Sequence, residues 1–193
     1  MNSRAWMLGL LLILAVVCSS ALALVNIKTA PIIRKNEEIT YKSTVLDVFG
    51  VPYDSGDGDS IIEIYNLRIE ERKERELTLF YEKESGATAV SLKGVGFQGP
   101  ISLVVALDGE TISGFKVISQ VETPGLGARI SGEEFQNSFI GKRVSKGITM
   151  TKSGSAGPDE FDAVTGATET SRALEKILNR GFEQYFRVVN YEL

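Results

Sequence analysis

Apolar residues along this chain follow three different patterns. Residues 5–25 carry no charged side chain and are rich in Leu, Val, Ile and Ala. About 20 such residues suffice to cross a bilayer as a helix. Residues 77–120 hold short apolar blocks separated by glycines, L-T-L-F-Y-E, V-S-L-K-G, I-S-L-V-V-A-L and I-S-G-F-K-V-I-S-Q. That pattern predicts a meander of strands, with Asp108-Gly109 as a hairpin turn. Leu174, Ile177, Leu178, Phe182, Tyr185 and Val189 then recur at helical spacing and predict a C-terminal amphipathic helix.

The connecting segments are less sharply patterned. Residues 26–49 read as a juxtamembrane helix with Pro31 near its start and Ile32, Ile39, Val45, Leu46 and Phe49 on its apolar side. Residues 50–60 form an acidic, glycine-rich loop. Asp54, Asp57 and Asp59 alternate there, but the closing glutamate of a calcium loop is missing, so a solvated loop is expected. Residues 61–76 have a mixed period, helix or strand, with their charges on a solvated face. A short helix is expected over 135–139, led in by S-G-E-E from Ser131, then a strand over 143–150 and a loop over 153–162.

Composition narrows the chemistry. The 193 residues suit one modest domain plus an appendage, and a net charge of −4 without a long basic run argues against nucleic acid. Histidine is absent and Cys18 is the single cysteine, inside the apolar run. That excludes a disulfide within the chain, Cys/His metal centres and histidine acid–base catalysis. Such a chain is suited to borrowing reactivity from a cofactor. The apolar run is read as a signal or signal-anchor segment with its N-terminus inside, although Arg4 against Lys28, Arg34 and Lys35 gives no support to that orientation by charge. A cleaved signal peptide is the alternative, since Ala21-Leu22-Ala23 resembles a small-x-small cleavage site.

One segment carries candidate chemistry. Residues 162–171 read D-A-V-T-G-A-T-E-T-S and open the C-terminal helix. Thr168 falls at the helix start, where unpaired N–H groups and the dipole favour an anion, phosphate above all. Gly166 gives the backbone freedom for close approach. Taken locally, a plain helix cap explains the same residues. Ser85, Gly86, Ala87 and Thr88 echo the motif, but Glu82 precedes them in place of aspartate and an alternating run follows, so they read as a turn. Gly94, Gly96, Gly99 and Pro100 mark a tight turn or a place where backbone meets a ligand. Glu122-Thr123-Pro124-Gly125-Leu126-Gly127 reads as a type II turn leaving a strand.

The segment Asp162, Thr165, Gly166, Ala167, Thr168 resembles the flavinylation motif of the FMN-binding domain family. That family includes the G subunit of the Rnf electron-transport complex and the C subunit of the sodium-translocating NADH:quinone reductase. The E-T-P-G-L-G run and G-F-Q-G-P-I resemble two further family segments. The resemblance implies an α+β fold, a twisted, mainly antiparallel sheet flanked by helices, preceded by one transmembrane helix. It divides the chain into an anchor (1–25), a juxtamembrane and linker region (26–76) and an FMN-binding domain (77–193). It implies FMN bound covalently to Thr168 through a phosphoester, installed from FAD by a separate flavin transferase. Asp162, Thr165, Thr170 and Ser171 would shape the loop or bond the phosphate, with Glu122, Thr123, Leu126 and Gly127 as further cofactor contacts. No catalytic side chain and no metal ligand is expected.

The function implied is a membrane-anchored electron relay in an ion-translocating Rnf-type ferredoxin:NAD complex. Its partners are the other redox subunits of that complex, and the FMN domain lies on the extracytoplasmic side of the cell membrane. Two alternatives stand beside it. One is the C subunit of the related reductase or a stand-alone anchored flavoprotein. The other is a tethered binding module without flavin.

Overall fold

The computed structural model describes residues 3–152, 154 and 156–189. Contacts divide the chain into two units, Met1–Ile39 and Thr40–Leu193. A single helix, α1 (Ser3–Phe49), contains both the apolar run and the segment that follows it. Pro31 lies inside this helix, where it lacks an N–H to donate to the turn before it. In the first unit Trp6, Leu8, Leu12 and Leu22 are exposed, and the helix is long and apolar enough to cross a membrane.

The second unit is built on a five-stranded antiparallel sheet. Its strands are β1 (Ile69–Glu74), β2 (Leu77–Glu82), β3 (Thr88–Val95), β4 (Pro100–Asp108) and β5 (Thr111–Gln120), hydrogen-bonded in chain order. The predicted meander and the Asp108-Gly109 hairpin are both present. One face of the sheet packs against helix α4 (Thr168–Val189), and Leu174, Leu178 and Phe182 join Val90, Leu92, Leu103 and Val105 in one core. On the other face Phe80, Ala89, Val104 and Ala106 are buried. There the end of α1 is in contact: Tyr41 meets Phe80 edge-on at 6.2 Å between centroids, and Gly114 of β5 runs against the Val48 carbonyl. Cover on both faces is why L-V-V-A-L reads as an unbroken apolar run rather than an alternating one.

The mixed period over 61–76 resolves into two elements. Helix α2 (Gly58–Arg68) begins inside the expected loop and hands over directly to β1. Asp57 causes the early start: its Oδ1 accepts from the N–H groups of Asp59 at 3.0 Å and Ser60 at 3.2 Å, so this aspartate is an N-cap. Helix α3 is Glu133–Asn137, two residues earlier than expected, with Gly132 at its start and no side-chain cap.

The strand expected over 143–150 is a correction. Only its last two residues enter β6 (Thr149–Thr151), and residues 143–148 are irregular, with single bridges from Arg143 and Ser145. Asn179 of α4 takes the place of a strand partner there. Its Oδ1 accepts from Ile148 N–H at 2.7 Å and its Nδ2 donates to Ile148 O at 2.9 Å. The loop expected over 153–162 is also corrected. Glu160–Asp162 form β7, parallel to β6, a strand too short to leave a period in the sequence. Ser153 lies outside the described residues.

The echo of the motif at Ser85–Thr88 closes the β2–β3 hairpin. Gly86 N–H donates to Glu82 O at 2.9 Å, and Thr88 opens β3 with its hydroxyl 3.1 Å from the Tyr185 hydroxyl. Glu82 holds this turn from inside. Its carboxylate is 2% exposed and accepts from Arg68 Nε at 2.8 Å, Ser85 N–H at 2.5 Å and Glu84 N–H at 3.2 Å. Burial pushes its pKa up, but these hydrogen bonds outweigh burial and bring it from 4.5 down to about 2.

A carboxyl depressed in the folded state contributes stability above its unfolded value, and that contribution is lost as pH falls through the folded one. The domain is therefore expected to lose stability between pH 4.5 and about 2. Glu82→Gln should cost roughly 2 kcal/mol at neutral pH and flatten that acid limb. Denaturant unfolding of both proteins across this pH range measures the difference, and parallel curves would refute the role given to Glu82.

Candidate functional site

The site forms where three segments meet at the N-terminal end of α4. β7 ends at Asp162 and a turn follows. Ala167 N–H donates to Val164 O at 2.9 Å, with Thr165 and Gly166 exposed at the corner. Gly166 has φ +80°, a conformation that L side chains rarely adopt, and a Cβ there would stand 3.2 Å from Leu126 Cδ2. Ala167 is buried and Thr168, half-buried, is the first residue of the helix. Ser171 is fully buried and locks the turn to the helix: its Oγ accepts from Val164 N–H at 3.0 Å and donates to Ala167 O at 3.1 Å.

A plain cap fails a direct geometric test. A capping side chain accepts from an N–H in the first turn of the helix. Here the residue before the helix is Ala167, which has no oxygen on its side chain. The first helical bond is Ser171 N–H to Ala167 O at 3.0 Å. Among the described residues nothing accepts from the N–H groups of Thr168, Glu169 or Thr170. Three donors at the positive end of a 22-residue helix are thus without a partner among the described residues, next to the Thr168 hydroxyl in sequence.

The second segment is the turn after β5. Leu126 N–H donates to Thr123 O at 3.1 Å, and Gly125 at the third position has φ +75°, the type II geometry expected. Thr123 is exposed, Leu126 is 46% exposed and Gly127 is buried. Glu122 is only 4% exposed. Its Oε2 accepts from the Thr170 hydroxyl at 2.6 Å and its Oε1 from Gln98 N–H at 3.0 Å. A Cβ on Gly127 would stand 2.8 Å from Glu122 Oε2, and one on Gly96 would collide with Oε1, so both positions are bare to admit the carboxylate.

The third segment is the β3–β4 turn at residues 96–99, closed by Gly96 N–H to Gly99 O at 2.7 Å. It joins the site through Gln98. Of the two readings its glycines allow, a turn or an approach to a ligand, the structure shows the turn, with Gly96 approached by a carboxylate of the chain itself. Phe97, at its tip, is 61% exposed. Gln98 carries no signal in the sequence because it takes part through its backbone, which leaves no mark on residue type.

Beside the Asp162 turn lies a cavity of about 340 Å³, lined by Arg129, Phe135, Ser138, Asp162, Val164 and Thr165 among others. Asp162 Oδ1 is buried and has no hydrogen-bond partner, an orphaned acceptor next to the motif. Larger cavities of about 760 and 540 Å³ surround Phe186 in the C-terminal half of α4 and touch none of these residues. The glycine turn and the unpartnered N–H groups at the helix start fit a phosphate-bearing group placed at Thr168, whereas Asp162 Oδ1, itself an acceptor, cannot bond a phosphate oxygen.

Comparison with known proteins shows an FMN-binding domain over this region. Residues 96–183 match the FMN-binding domain family, a span that holds all three segments. The G subunit of the ion-translocating oxidoreductase complex of Methanosarcina acetivorans is 41% identical over 87 residues, 44% of each chain. The protein of the same name from Vibrio atlanticus is 30% identical over 186 residues, covering 91% of this chain and 87% of the relative. The chain spans about half the length of several curated relatives it matches, the Methanosarcina protein among them. Among solved structures, the C subunit of the Na⁺-translocating NADH-quinone reductase from Parabacteroides distasonis superposes with a TM-score of 0.68 at 25% identity, over 80% of this chain and 94% of that one. Taken with the near full-length match, these findings show that the chain belongs to the family of ion-translocating oxidoreductase complex G subunits and carries their FMN-binding domain.

Proposed function

We propose that this chain carries FMN as a phosphoester on Thr168 and relays electrons within an ion-translocating, Rnf-type ferredoxin:NAD oxidoreductase complex. The observation that carries the reading is the uncapped start of α4, three free N–H donors beside a half-buried threonine hydroxyl, inside a segment that matches the FMN-binding domain. When bound, FMN supplies one- and two-electron redox chemistry.

The chain's own residues hold and present that group. The N–H groups of Thr168, Glu169 and Thr170 face the phosphate with the helix dipole behind them. Gly166 turns the backbone away so that the phosphate can approach, and Ser171 keeps the turn fixed to the helix. Thr165, exposed at the corner, and Asp162 offer a recognition surface to a flavin transferase. In the transferase reaction the Thr168 oxygen bonds to the FMN phosphorus of FAD, the bond to AMP breaks, and the threonine proton is lost. Thr123 and Leu126 lie on the exposed side of the neighbouring turn, where they would border the group.

The anchor at residues 1–25 spans the membrane, and the FMN-binding domain lies on its extracytoplasmic side. Tethering keeps the flavin at high effective concentration near the other redox subunits. The names of the relatives favour the Rnf-type complex over the related quinone reductase. The FMN-binding domain match weighs against a tethered module without flavin.

The test is an intact mass after co-expression with a flavin transferase, followed by peptide mapping. The expected result is a gain of one FMN less one water on the peptide containing Thr168. An unmodified mass while a known substrate of the same transferase is loaded would refute the reading.

A further inference from the structure

Glu122 is an anomaly in energetic terms. Its carboxylate is 4% exposed, and no lysine or arginine among the described residues pairs with it. Removing an ionised carboxylate from water costs several kcal/mol unless a counter-charge or a full set of donors repays it. Here two donors are present, the Thr170 hydroxyl at 2.6 Å and Gln98 N–H at 3.0 Å. The carboxyl group accepts both contacts, one at each oxygen. Two positions, Gly96 and Gly127, are kept free of side chain where it lies. The fold is arranged around this charge.

The packing alone does not require it. An amide or a second hydroxyl could join the same two turns without an ion. What a carboxylate adds is a fixed negative charge, and its place is specific. Through Thr170 it touches the first turn of α4, two residues beyond the proposed attachment point. Through Gln98 it fixes the turn that carries Phe97. In the chain it directly precedes the turn that carries Leu126, which Leu126 N–H closes onto Thr123 O.

We propose that Glu122 is a positioning residue for the flavin site: it locks both turns onto the flavin-bearing helix and sets a fixed negative charge beside the group, which lowers its reduction potential. This rests on FMN being carried at Thr168. Uptake of two electrons and one proton gives the isoalloxazine a net negative charge. A nearby carboxylate in a poorly solvated setting disfavours that charge and not the neutral oxidised ring. Glu122 touches none of the reacting atoms; it acts through the helix start and through its field.

The experiment uses the full chain, flavinylated by co-expression, as wild type, Glu122→Gln and Glu122→Asp. Each is titrated with dithionite against redox dyes, and its thermal midpoint is recorded. At the wild-type midpoint potential, Glu122→Gln should stand several-fold further toward reduced flavin, while Glu122→Asp stays close to wild type because it keeps the charge. A folded Glu122→Gln that takes no flavin, while Glu122→Asp is loaded, would also support the proposal, since the carboxylate would then be needed to seat the acceptor turn. Glu122→Gln loaded and titrating at the wild-type potential would overturn it. So would unfolding of both variants, which would make the residue structural only. Wild type without flavin is a separate result, because it removes the attachment at Thr168 and not the role of Glu122.

Discussion

Thr168→Ala is expected to abolish covalent flavin entirely and to leave the fold in place. The two halves of this prediction have separate physical grounds. The phosphoester needs a hydroxyl oxygen, and alanine has none. The fold does not depend on that oxygen, since the Thr168 hydroxyl makes no hydrogen bond among the described residues and the side chain is only half-buried. Alanine is also the better helix former, so the stability change should stay within about 0.5 kcal/mol. Thr168→Ser keeps the hydroxyl and should keep part of the flavin.

The control is Thr88→Ala, in the echo of the motif. Thr88 opens a strand, has no helix start behind it and shares a hydrogen bond with Tyr185, so flavin should load as in wild type. In-gel flavin fluorescence with intact mass separates the outcomes. Flavin retained in Thr168→Ala and lost in Thr88→Ala would place the attachment at the other threonine.

How much of this was legible in the sequence depended on the length of each element and on where its partners lie. Strands β2 to β5 and the C-terminal helix were readable because each repeats its pattern several times. Leu174, Ile177, Leu178, Phe182 and Tyr185 are all buried as the spacing predicted. The type II turn at Pro124-Gly125 was readable because its two central residues nearly determine it.

Elements completed by distant groups were not readable. Residues 143–148 lack a regular strand because Asn179, about thirty residues further on, satisfies the Ile148 backbone. The strand at Glu160–Asp162 exists only through its pairing with Thr149–Thr151. Asp57 read as part of a solvated loop because a cap and a loop use the same side chain, and the helix it starts has a mixed period. At the site, the motif residues were legible one by one. The bond from Thr170 to Glu122 crosses 48 residues and could not be read from either motif alone.

The most damaging single substitution to the domain without touching the motif should be Phe139→Ala. Phe139 is fully buried at the centre of four rings. It stacks on Phe115 of β5 at 4.2 Å between centroids, meets Phe135 of α3 edge-on at 5.3 Å and tilts against Phe161 of β7 at 5.1 Å. Truncation removes that burial and leaves a void bounded by three aromatic rings from three elements, which cannot all close on it. Such changes cost about 3–5 kcal/mol, a large part of the roughly 5–15 kcal/mol that stabilises a domain.

The consequence reaches the site because Phe161 directly precedes Asp162. Loss of the ring beneath β7 loosens the strand that delivers the motif turn. Phe139→Leu fills much of the void and should recover more than half of the loss. Denaturant unfolding of the three proteins measures this. Flavin loading below the unfolding transition then shows whether β7 must be firmly seated for Thr168 to be modified. A Phe139→Ala protein as stable as wild type would mean that the aromatic cluster does not hold β7, and that the motif turn is anchored by Ser171 and α4 alone.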